Sequence, residues 1–556
     1  MCSHVTRVRV THVRALHLLA LCVTVSTVIA SCADPRPALS PGNARVPSPP
    51  PPAAAQPPAP LPRDASTWPA QVIYLVMPDR FQNGDASNDD LGTPHCFDPA
   101  DPRKWHGGDL AGLRQRIPYL KDLGVTAVWI TPPNRASSDR CGYHGYWADL
   151  ADPDDGAVEP RLGTAAELAR LADDLHAAGI RLVLDMVVNH AGVAARVVAE
   201  HPDWFHDPTT CAQLGDAKIY CPIGGKPLPD FAQENAAVAR YLTAMSAGWT
   251  ARYGIDAIRM DTVKHVFPPY WASSWFPGVH AANPGLFVIG EDFDTTGPTG
   301  LNEFLKDGFD SLFDYPRYPA LVSTFAKGGS VDALGDAVAA AVATYGIERA
   351  RLMTSFIDNH DNPRLGSLLA PGTPDAVVAA EVALAMGAVF TLPGIPSLTW
   401  GDEVGMLGAS DPDNRRDMPA WAWSAETRKG AHAGMAAGDG EASFAHVKQL
   451  IALRRAHVAL QRGSYAELLR QGSTGTNVLG FYRGADGERV VVVINPGGDA
   501  VTVMLPIAKT ADAASMPEGT LFVDALGEGA PKATTVKAGA LALSLPARTM
   551  GIYVAK

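Results

Sequence analysis

Residues 181–190 read RLVLDMVVNH, an apolar run that carries Asp185, Asn189 and His190 toward its end. The apolar residues follow one another without alternation, which is typical of a strand buried on both faces, as in a parallel sheet. Further runs of this kind are QVIYLVM (71–77), VTAVWIT (125–131), IDAIRMD (255–261), LFVIGED (286–292), FDSLFDY (309–315), LMTSFID (352–358) and VFTLPGI (389–395).

Helical stretches separate these eight runs. One of them begins with a capping box from Thr164 to Glu167 and continues with Leu168, Leu171 and Leu175 at helical spacing. Eight strand–helix units predict an α/β fold, a (β/α)8 barrel, over residues 67–430.

Two regions depart from the barrel pattern. About 40 residues rich in Pro, Gly and Cys follow the third run and predict a small inserted domain at about 191–230. After residue 430 a helix at about 444–456 leads into short alternating runs such as VVVVIN (490–495). This part, residues 431–556, is predicted to form a C-terminal antiparallel β-sandwich.

The N-terminal residues 1–31 resemble a bacterial lipoprotein signal. Arginines precede a 16-residue apolar run that is short for a membrane span and ends in IASC (29–32). An ordinary signal peptide with a chance cysteine is the alternative. Residues 32–66 hold a Pro-rich stretch, which predicts an extended tether. We therefore expect an exported protein, lipid-anchored through Cys32 to the periplasmic face or the cell surface of a bacterium.

The composition favours a folded protein that does not bind nucleic acid. Of the 556 residues 47% are apolar and 19% are charged, and the net charge is −12. Such a chain can bury a sizeable core and lacks a basic footprint. We expect a monomer that meets an uncharged partner such as a glycan.

Four cysteines remain once those of the signal and Cys32 are set aside. Cys96, Cys141, Cys211 and Cys221 predict two disulfides in an exported chain, with three possible pairings. The pairing Cys211–Cys221 within one loop, together with Cys96–Cys141, is favoured.

Acids and histidines collect at the predicted carboxyl ends of the strands, where barrels of this type carry their active sites. A single acid at a strand end is more often a loop cap or a salt-bridge partner than a catalytic group. Here, however, several strands each end in an acid. The residues are Asp185, Asn189, His190, Arg259, Asp261, Glu291, Asp292, His360 and Asp361.

Four segments with these residues resemble signature regions of the α-amylase family of glycoside hydrolases (family 13). They are DMVVNH (185–190), GIDAIRMDTVKH (254–265), GED (290–292) and FIDNHD (356–361), with support from YHGYW (143–147), LPDF (228–231) and GIPSLTWGDE (394–403). The resemblance spans roughly residues 70–425. It implies a retaining glycosidase with two carboxyls about 5–5.5 Å apart across the scissile bond.

The resemblance implies a role for each acid. Asp261 would be the nucleophile, Glu291 the acid/base and Asp361 the third acid, which grips sugar hydroxyls. Arg259 lies two residues from Asp261, on the same strand face, and is expected to keep Asp261 ionised. Glu291 is expected to have a raised pKa, caused by burial and by neighbouring carboxylates.

Other residues of these segments resemble the family's sugar contacts. Tyr146 would stack on a sugar, and His190 and His360 would bind the sugar at the cleavage point. Asp411 and Arg415 would hold the next sugar on the non-reducing side, and Lys264 and His265 would contact the leaving-group side. The chain departs from many relatives at Asp292–Phe293 and at Leu398–Trp400, which leaves the fine specificity open.

Calcium is the expected cofactor, as one or two ions. The stretch FQNGDASNDD (81–90) crowds oxygen donors into a loop, as calcium requires, and resembles the calcium loop of cyclodextrin glucanotransferases and related amylases. The implied ligands are Asn83, Asp85, Asn88, Asp89, Gly107 and Asp109 for one ion, and Asn189, Asp230 and the carbonyl of His265 for the other.

The expected activity is hydrolysis of α-1,4-glucosidic bonds in starch or maltodextrins. The alternatives are a transglycosylase of the cyclodextrin glucanotransferase type or a cyclomaltodextrinase, and more remotely a non-catalytic, tethered glycan-binding protein. A single predicted C-terminal domain, and a Pro-rich segment in place of an N-terminal domain, argue for the hydrolase. The presence of all three acids argues against the non-catalytic protein.

Overall fold

Eight parallel strands form a barrel in the computed structural model of the protein, which describes residues 65–91, 95–137, 140–150, 158–223, 228–436, 438–472 and 475–556. Their bounds are Ile73–Val76 (β1), Ala127–Ile130 (β2), Arg181–Met186 (β3), Ala257–Met260 (β4), Phe287–Gly290 (β5), Ser311–Leu312 (β6), Thr354–Ser355 (β7) and Ile395–Thr399 (β8). The sheet order is β6-β5-β4-β3-β2-β1-β8-β7, and a bridge from Phe313 to Thr354 closes the ring. The predicted (β/α)8 barrel is confirmed.

The strands are buried as their unbroken apolar character predicts. Every residue of β1, β2, β4 and β5 is buried. In the parallel register of β3 and β4, Asp185 lies opposite Arg259. The register therefore sets an acid beside an arginine at the same level of the barrel.

The eighth strand lies further along the chain than the sequence pattern predicts. Val389, Phe390 and Thr391 belong to the helix Asp375–Thr391, and the strand begins only at Ile395. A short apolar run fits a buried helix end as well as a buried strand. The prediction that VFTLPGI forms strand eight is therefore wrong, and the strand is IPSLT.

Helices and short helical turns fill the connections. The α-helices are Leu110–Gln115 (α1), Ile117–Leu123 (α2), Ala165–Ala177 (α3), Arg196–Glu200 (α4), Ala217–Tyr220 (α5), Ala236–Tyr253 (α6), Pro268–Tyr270 (α7), Phe276–Ala282 (α8), Pro298–Asp307 (α9), Tyr318–Leu321 (α10), Val331–Tyr345 (α11), Ile347–Ala350 (α12), Asp375–Thr391 (α13), Ala425–Arg428 (α14), Gly440–Ala456 (α15) and Val458–Arg462 (α16). The predicted capping box opens α3. Among the described residues no helix is both long and apolar enough to cross a membrane.

Helix α15 belongs to the barrel by its contacts. It packs against α2, α13 and the turn Asp402–Val404. It therefore completes the helical layer around the barrel, although the sequence pattern groups it with the C-terminal domain.

The segment after β3 leaves the barrel, as predicted, and carries α4 and α5. An isolated bridge from His190 to Asp230 joins the two ends of this segment. A second bridge, from Phe205 to Phe231, joins its interior to its C-terminal end. The disulfide Cys211–Cys221 closes a loop within it, and Cys96–Cys141 joins the connections that follow β1 and β2. Both favoured pairings are confirmed.

The C-terminal part is an eight-stranded antiparallel sheet in the described residues. Its strands are Ala466–Gln471 (β9), Val478–Ala485 (β10), Glu488–Asn495 (β11), Val501–Pro506 (β12), Leu521–Asp524 (β13), Ala533–Lys537 (β14), Ala540–Leu545 (β15) and Thr549–Ala555 (β16). The outermost strands β12 and β9 contact each other, so the sheet folds over on itself. Val490, Val492 and Ile494 join the barrel's core, while Val491 and Val493 join a second core inside the sheet.

The segment that resembles a lipoprotein signal, Cys32 and most of the Pro-rich segment lie outside the described residues.

Candidate active site

A cleft of about 560 Å³ opens where the carboxyl ends of the barrel strands meet the inserted segment. Asp261 follows β4, Glu291 follows β5, and Ile223 and Leu228 come from the inserted segment. The cleft brings together most of the residues that the sequence predicts for the site: Tyr146, His190, Asp261, Lys264, His265, Glu291, Asp361, Asp411 and Arg415. Arg259 and His360 lie buried, 1% and 0% exposed, and contact these residues.

Arg259 forms the centre of the charge arrangement. Its Nη1 atom lies 2.7 Å from Oδ1 of Asp261 and 3.0 Å from Oδ1 of Asp185, and its Nη2 atom lies 2.8 Å from Oε1 of Glu291. Burial opposes the charge on the guanidinium, but Asp185, Glu291 and their neighbours raise the pKa of Arg259 well above its usual value. One permanently charged group therefore holds three carboxyl groups in place.

Glu291 lies in surroundings that keep its proton. Burial raises the pKa of Glu291 to about 8, and the charges of Asp261 and Asp361 add to the effect while Arg259 opposes it. The backbone N–H of Thr262 donates to Oε2 of Glu291 at 3.0 Å. Thr262 has a φ of 49°, a left-handed conformation that is rare for a β-branched residue. Thr262 follows Asp261 directly, and in this conformation its N–H donates to Glu291.

Asp361 has the opposite tendency. Desolvation inside the cleft would raise its pKa, but His360, Arg415 and Arg259 outweigh desolvation, and the pKa of Asp361 lies below its usual value. Arg415 is one of these groups, with Nη2 3.0 Å from Oδ1 of Asp361, and its Nη1 atom lies 3.2 Å from Asp411. Asp361 is thus charged under conditions in which Glu291 still holds a proton.

Tyr146 and His190 line the cleft, and His360 is buried against Tyr146. The Tyr146 ring stacks on His360 with a centroid distance of 5.3 Å, and its hydroxyl donates to Asp185 at 2.7 Å. Burial lowers the pKa of His360 to about 3, so this imidazole is neutral near pH 7. Nε2 of His190 lies 3.1 Å from the carbonyl oxygen of Tyr146.

Lys264 and His265 lie on the wall near the inserted segment. The Lys264 ammonium is 3.3 Å from Oδ1 of Asp292, and Nδ1 of His265 is 2.8 Å from the carbonyl oxygen of Lys218 in α5. The segment closed by Cys211–Cys221 therefore contacts the residue pair that would meet the leaving group.

Three residues of the site have no role assigned from the sequence. Phe293 lines the cleft with 43% of its surface exposed, and its ring lies 4.2 Å from that of Tyr315. His144 also lines the cleft, and burial and Arg415 lower its pKa well below its usual value. Asp185 received no role, although it contacts Arg259 and Tyr146. The signal for Phe293 was its place two residues after Glu291.

The first predicted calcium loop brings its oxygen donors close together. The Asn83 amide lies 2.8 Å from Oδ1 of Asp89, and Asp109 accepts from the N–H of Asp85 and from the Asn88 amide. Oδ1 of Asn88 is buried without a hydrogen-bond partner. The Asp85 carboxyl accepts from Ser87 instead.

Gly107 borders the same loop. A Cβ atom at this position would lie 2.7 Å from Oδ1 of Asp89 and 2.8 Å from Nδ2 of Asn83. Only a residue without a side chain leaves the donors room to approach. The donor set and the orphaned amide oxygen fit a calcium ion.

The second predicted set also fits in part. The Asn189 amide donates to Oδ1 of Asp230 at 3.1 Å, and Oδ1 of Asn189 is buried without a partner. In the described chain no group of three or more His, Cys, Asp or Glu side chains is arranged to hold a metal. Both sets accordingly include Asn and backbone oxygens beside their Asp carboxylates.

Comparison with known proteins shows the family of the chain. Residues 75–463 match the model of the α-amylase catalytic domain. Neopullulanase 2 of Thermoactinomyces vulgaris is 31% identical over 458 residues, which cover 79% of this chain and 71% of that protein.

Solved structures agree as well. An α-amylase of Anoxybacillus superposes with a TM-score of 0.74 at 30% identity, covering 88% of this chain and 98% of that one. A cyclomaltodextrin glucanotransferase with a three-domain ABC distribution superposes with a TM-score of 0.71 at 26% identity, covering 87% and 99%. With the match extending over more than half of its length, this chain belongs to the α-amylase family of glycoside hydrolases.

Proposed function

We propose that this protein hydrolyses α-1,4-glucosidic bonds of starch or maltodextrins with retention of configuration. Asp261 attacks the anomeric carbon, and Glu291 protonates the departing oxygen and then activates water. The observation that carries the proposal is the pair of carboxyls held by Arg259, of which Glu291 has its pKa raised to about 8.

The surrounding groups suit these roles. Asp361 is a charged acceptor for sugar hydroxyls. The neutral His360 lies beside the Asp361 carboxylate and adds no positive charge to the site. Arg259 stabilises the negative charge on Asp261 before the attack and on Glu291 after it has given up its proton. A preorganised site of this kind lowers the barrier without having to reorganise during the reaction.

The test compares two variants on two substrates. Asp261→Asn is expected to lose at least about 10⁴-fold of activity on every substrate, because no nucleophile remains. Glu291→Gln is expected to lose about 10²- to 10⁴-fold on maltoheptaose but to retain attack on α-maltosyl fluoride, whose leaving group needs no proton.

Glu303→Gln on the exposed side of α9 is the matched control and is expected to keep full activity. A sugar trapped on the peptide that contains Asp261, identified by mass spectrometry, would support the nucleophile directly. Full activity of either active-site variant would refute the proposal.

Transglycosylation is a second candidate because of Phe293. An exposed aromatic ring in the cleft, two residues from Glu291, can carry the apolar face of an acceptor sugar and help it to compete with water. The expectation that a single C-terminal domain disfavours a cyclising transferase no longer separates the two, because a transferase of similar extent superposes on this chain.

We further propose that calcium occupies the two donor sets. The residues that would hold it are those of the loop with Asn83, Asn88 and Asp89, and the pair Asn189 and Asp230 beside the inserted segment. A bound calcium ion would fix these loops relative to the barrel and take no part in the bond cleavage.

A further inference from the structure

Asp292 is a buried acid that the catalytic roles above do not use. It follows Glu291 directly, is 4% exposed, and lies two residues beyond the end of β5. Burial raises the pKa of Asp292, while Lys264 lowers it. A buried carboxylate is costly unless a charged or hydrogen-bonding partner compensates it.

The charged partner is a residue that lines the cleft. The Lys264 ammonium lies 3.3 Å from Oδ1 of Asp292, while 28% of the Lys264 side chain remains exposed. The contact occupies at most one of the three N–H donors of the Lys264 ammonium. The other donors can reach sugar hydroxyls in the cleft.

A purely structural ion pair does not require a partially exposed lysine that lines the cleft. Several buried acids of the described chain pair with buried arginines, as in Arg317–Asp314 and Arg364–Asp402, although Asp149 pairs with the half-exposed Arg196. A lysine has a long, flexible side chain, and ordering it on binding costs free energy. A fixed negative charge at its end removes part of that cost in advance.

We propose that Asp292 is a positioning residue, which holds the Lys264 ammonium in the cleft and thereby sets the affinity for the sugars on the leaving-group side. The inference rests on the proposed function, because that function assigns Lys264 to this side. Asp292 acts before binding, by reducing the number of conformations open to Lys264. Substrates that occupy only the donor side gain nothing from it.

The experiment uses two substrates that differ in this respect. Maltoheptaose spans both sides of the cleft, whereas α-maltosyl fluoride has no sugar on the leaving-group side. Asp292→Asn is expected to raise KM for maltoheptaose about three- to tenfold, with a clearly smaller change for the fluoride. Glu303→Gln on the exposed side of α9 is again the matched control, since Glu303 pairs with Lys306.

A double variant tests whether the effect passes through Lys264. Asp292→Asn combined with Lys264→Met is expected to show the same KM for maltoheptaose as Lys264→Met alone, and it leaves no unpaired buried charge if a single variant fails to fold. Equal losses on both substrates, an unchanged KM for maltoheptaose, or additive effects in the double variant would overturn the inference. If the wild-type protein cleaved neither substrate, the proposed function itself would be wrong.

Discussion

Glu291 and Asp361 show how single residues divide the protonation states of the cleft. Glu291 is buried and about a third of the Asp361 side chain is exposed to the cleft, and the pKa of Glu291 is raised to about 8 while that of Asp361 is lowered. The difference lies in the neighbours, since Asp361 has Arg415 at 3.0 Å and Glu291 shares Arg259 with two other acids. A proton donor can therefore persist beside a charged acceptor at neutral pH.

The raised pKa of Glu291 predicts an alkaline limit of activity. Glu291 must be protonated to act as an acid, so kcat/KM for maltoheptaose is expected to fall as the pH rises through about 8. The proton on Glu291 also favours the folded state, and this stabilisation is lost as the pH rises from the ordinary carboxyl range to about 8.

The measurement is a pH profile of kcat/KM from pH 5 to 10, taken also for Glu291→Gln on α-maltosyl fluoride. The alkaline limb is expected to be absent from the variant. The same limb in both proteins would show that another group titrates.

The residues of the site differ in how far the sequence reveals them. Asp261, Glu291 and Asp361 can be located because each directly follows, or lies a few residues beyond, an apolar run, and barrel topology sends all such ends to one rim. Phe293 could not be assigned, because its exposure depends on how the loop after β5 turns. The left-handed Thr262 is equally invisible, since nothing in its residue type favours that conformation.

The two disulfides differ at the level of elements by the length of chain that each one closes. Cys96–Cys141 spans 45 residues and Cys211–Cys221 spans 10. A longer loop loses more conformational entropy in the unfolded chain, which here amounts to about 1 kcal/mol more for the longer one. Replacing Cys96 and Cys141 by Ser is expected to lower the free energy of unfolding by about that much more than replacing Cys211 and Cys221. Chemical denaturation of the two double variants measures this difference, and the reverse order would contradict it.

The calcium loops predict metal-dependent stability. A metal that binds only the folded state stabilises it by mass action, so chelation is expected to lower the melting temperature and added calcium to restore it. Asn88→Ala removes the orphaned amide oxygen of the first loop and is expected to reduce the response to calcium. Asn302→Ala in α9 serves as control. An unchanged melting temperature after exhaustive chelation, with no metal in elemental analysis, would contradict both sites.

Element bounds follow from sequence only where length and pattern agree. Strand β3 takes up six residues of its predicted run, whereas β6 and β7 contain only two residues each of the seven-residue runs that predict them. Only Leu392, Pro393 and Gly394 separate the apolar end of α13 from the start of β8. Two adjoining buried elements with similar composition cannot be divided by hydrophobicity alone.

At the scale of the whole molecule, one face of the C-terminal sheet packs into the barrel's core. The sheet also has a second core of its own. Alternate residues of β11 point toward the barrel's core and toward the sheet's own core. Arg483 of β10 is buried and donates to the carbonyl oxygen of Thr391 at the end of α13. The sheet therefore supports the helices behind the cleft, while the residues that meet substrate come from the loops after the strands and from the inserted segment. Specificity is accordingly a property of those loops.

The choice between water and a sugar as acceptor depends on the leaving-group side of the cleft. Lys264, His265 and Phe293 line the cleft, and we assign them to this side. The inserted segment reaches the same wall through the contact of Lys218 with His265. We expect hydrolysis to dominate on maltoheptaose and soluble starch, giving maltose and maltotriose, because one aromatic ring gives an acceptor sugar limited binding energy. Chromatography of a maltoheptaose time course measures the ratio of shorter to longer products. Phe293→Ala is expected to reduce any minor transfer further, and Phe293→Tyr, which keeps a ring, is expected to retain it. Early products longer than seven glucose units, or cyclodextrins from starch, would instead identify a transferase, since both require a sugar hydroxyl to reach the intermediate on Asp261 before water does.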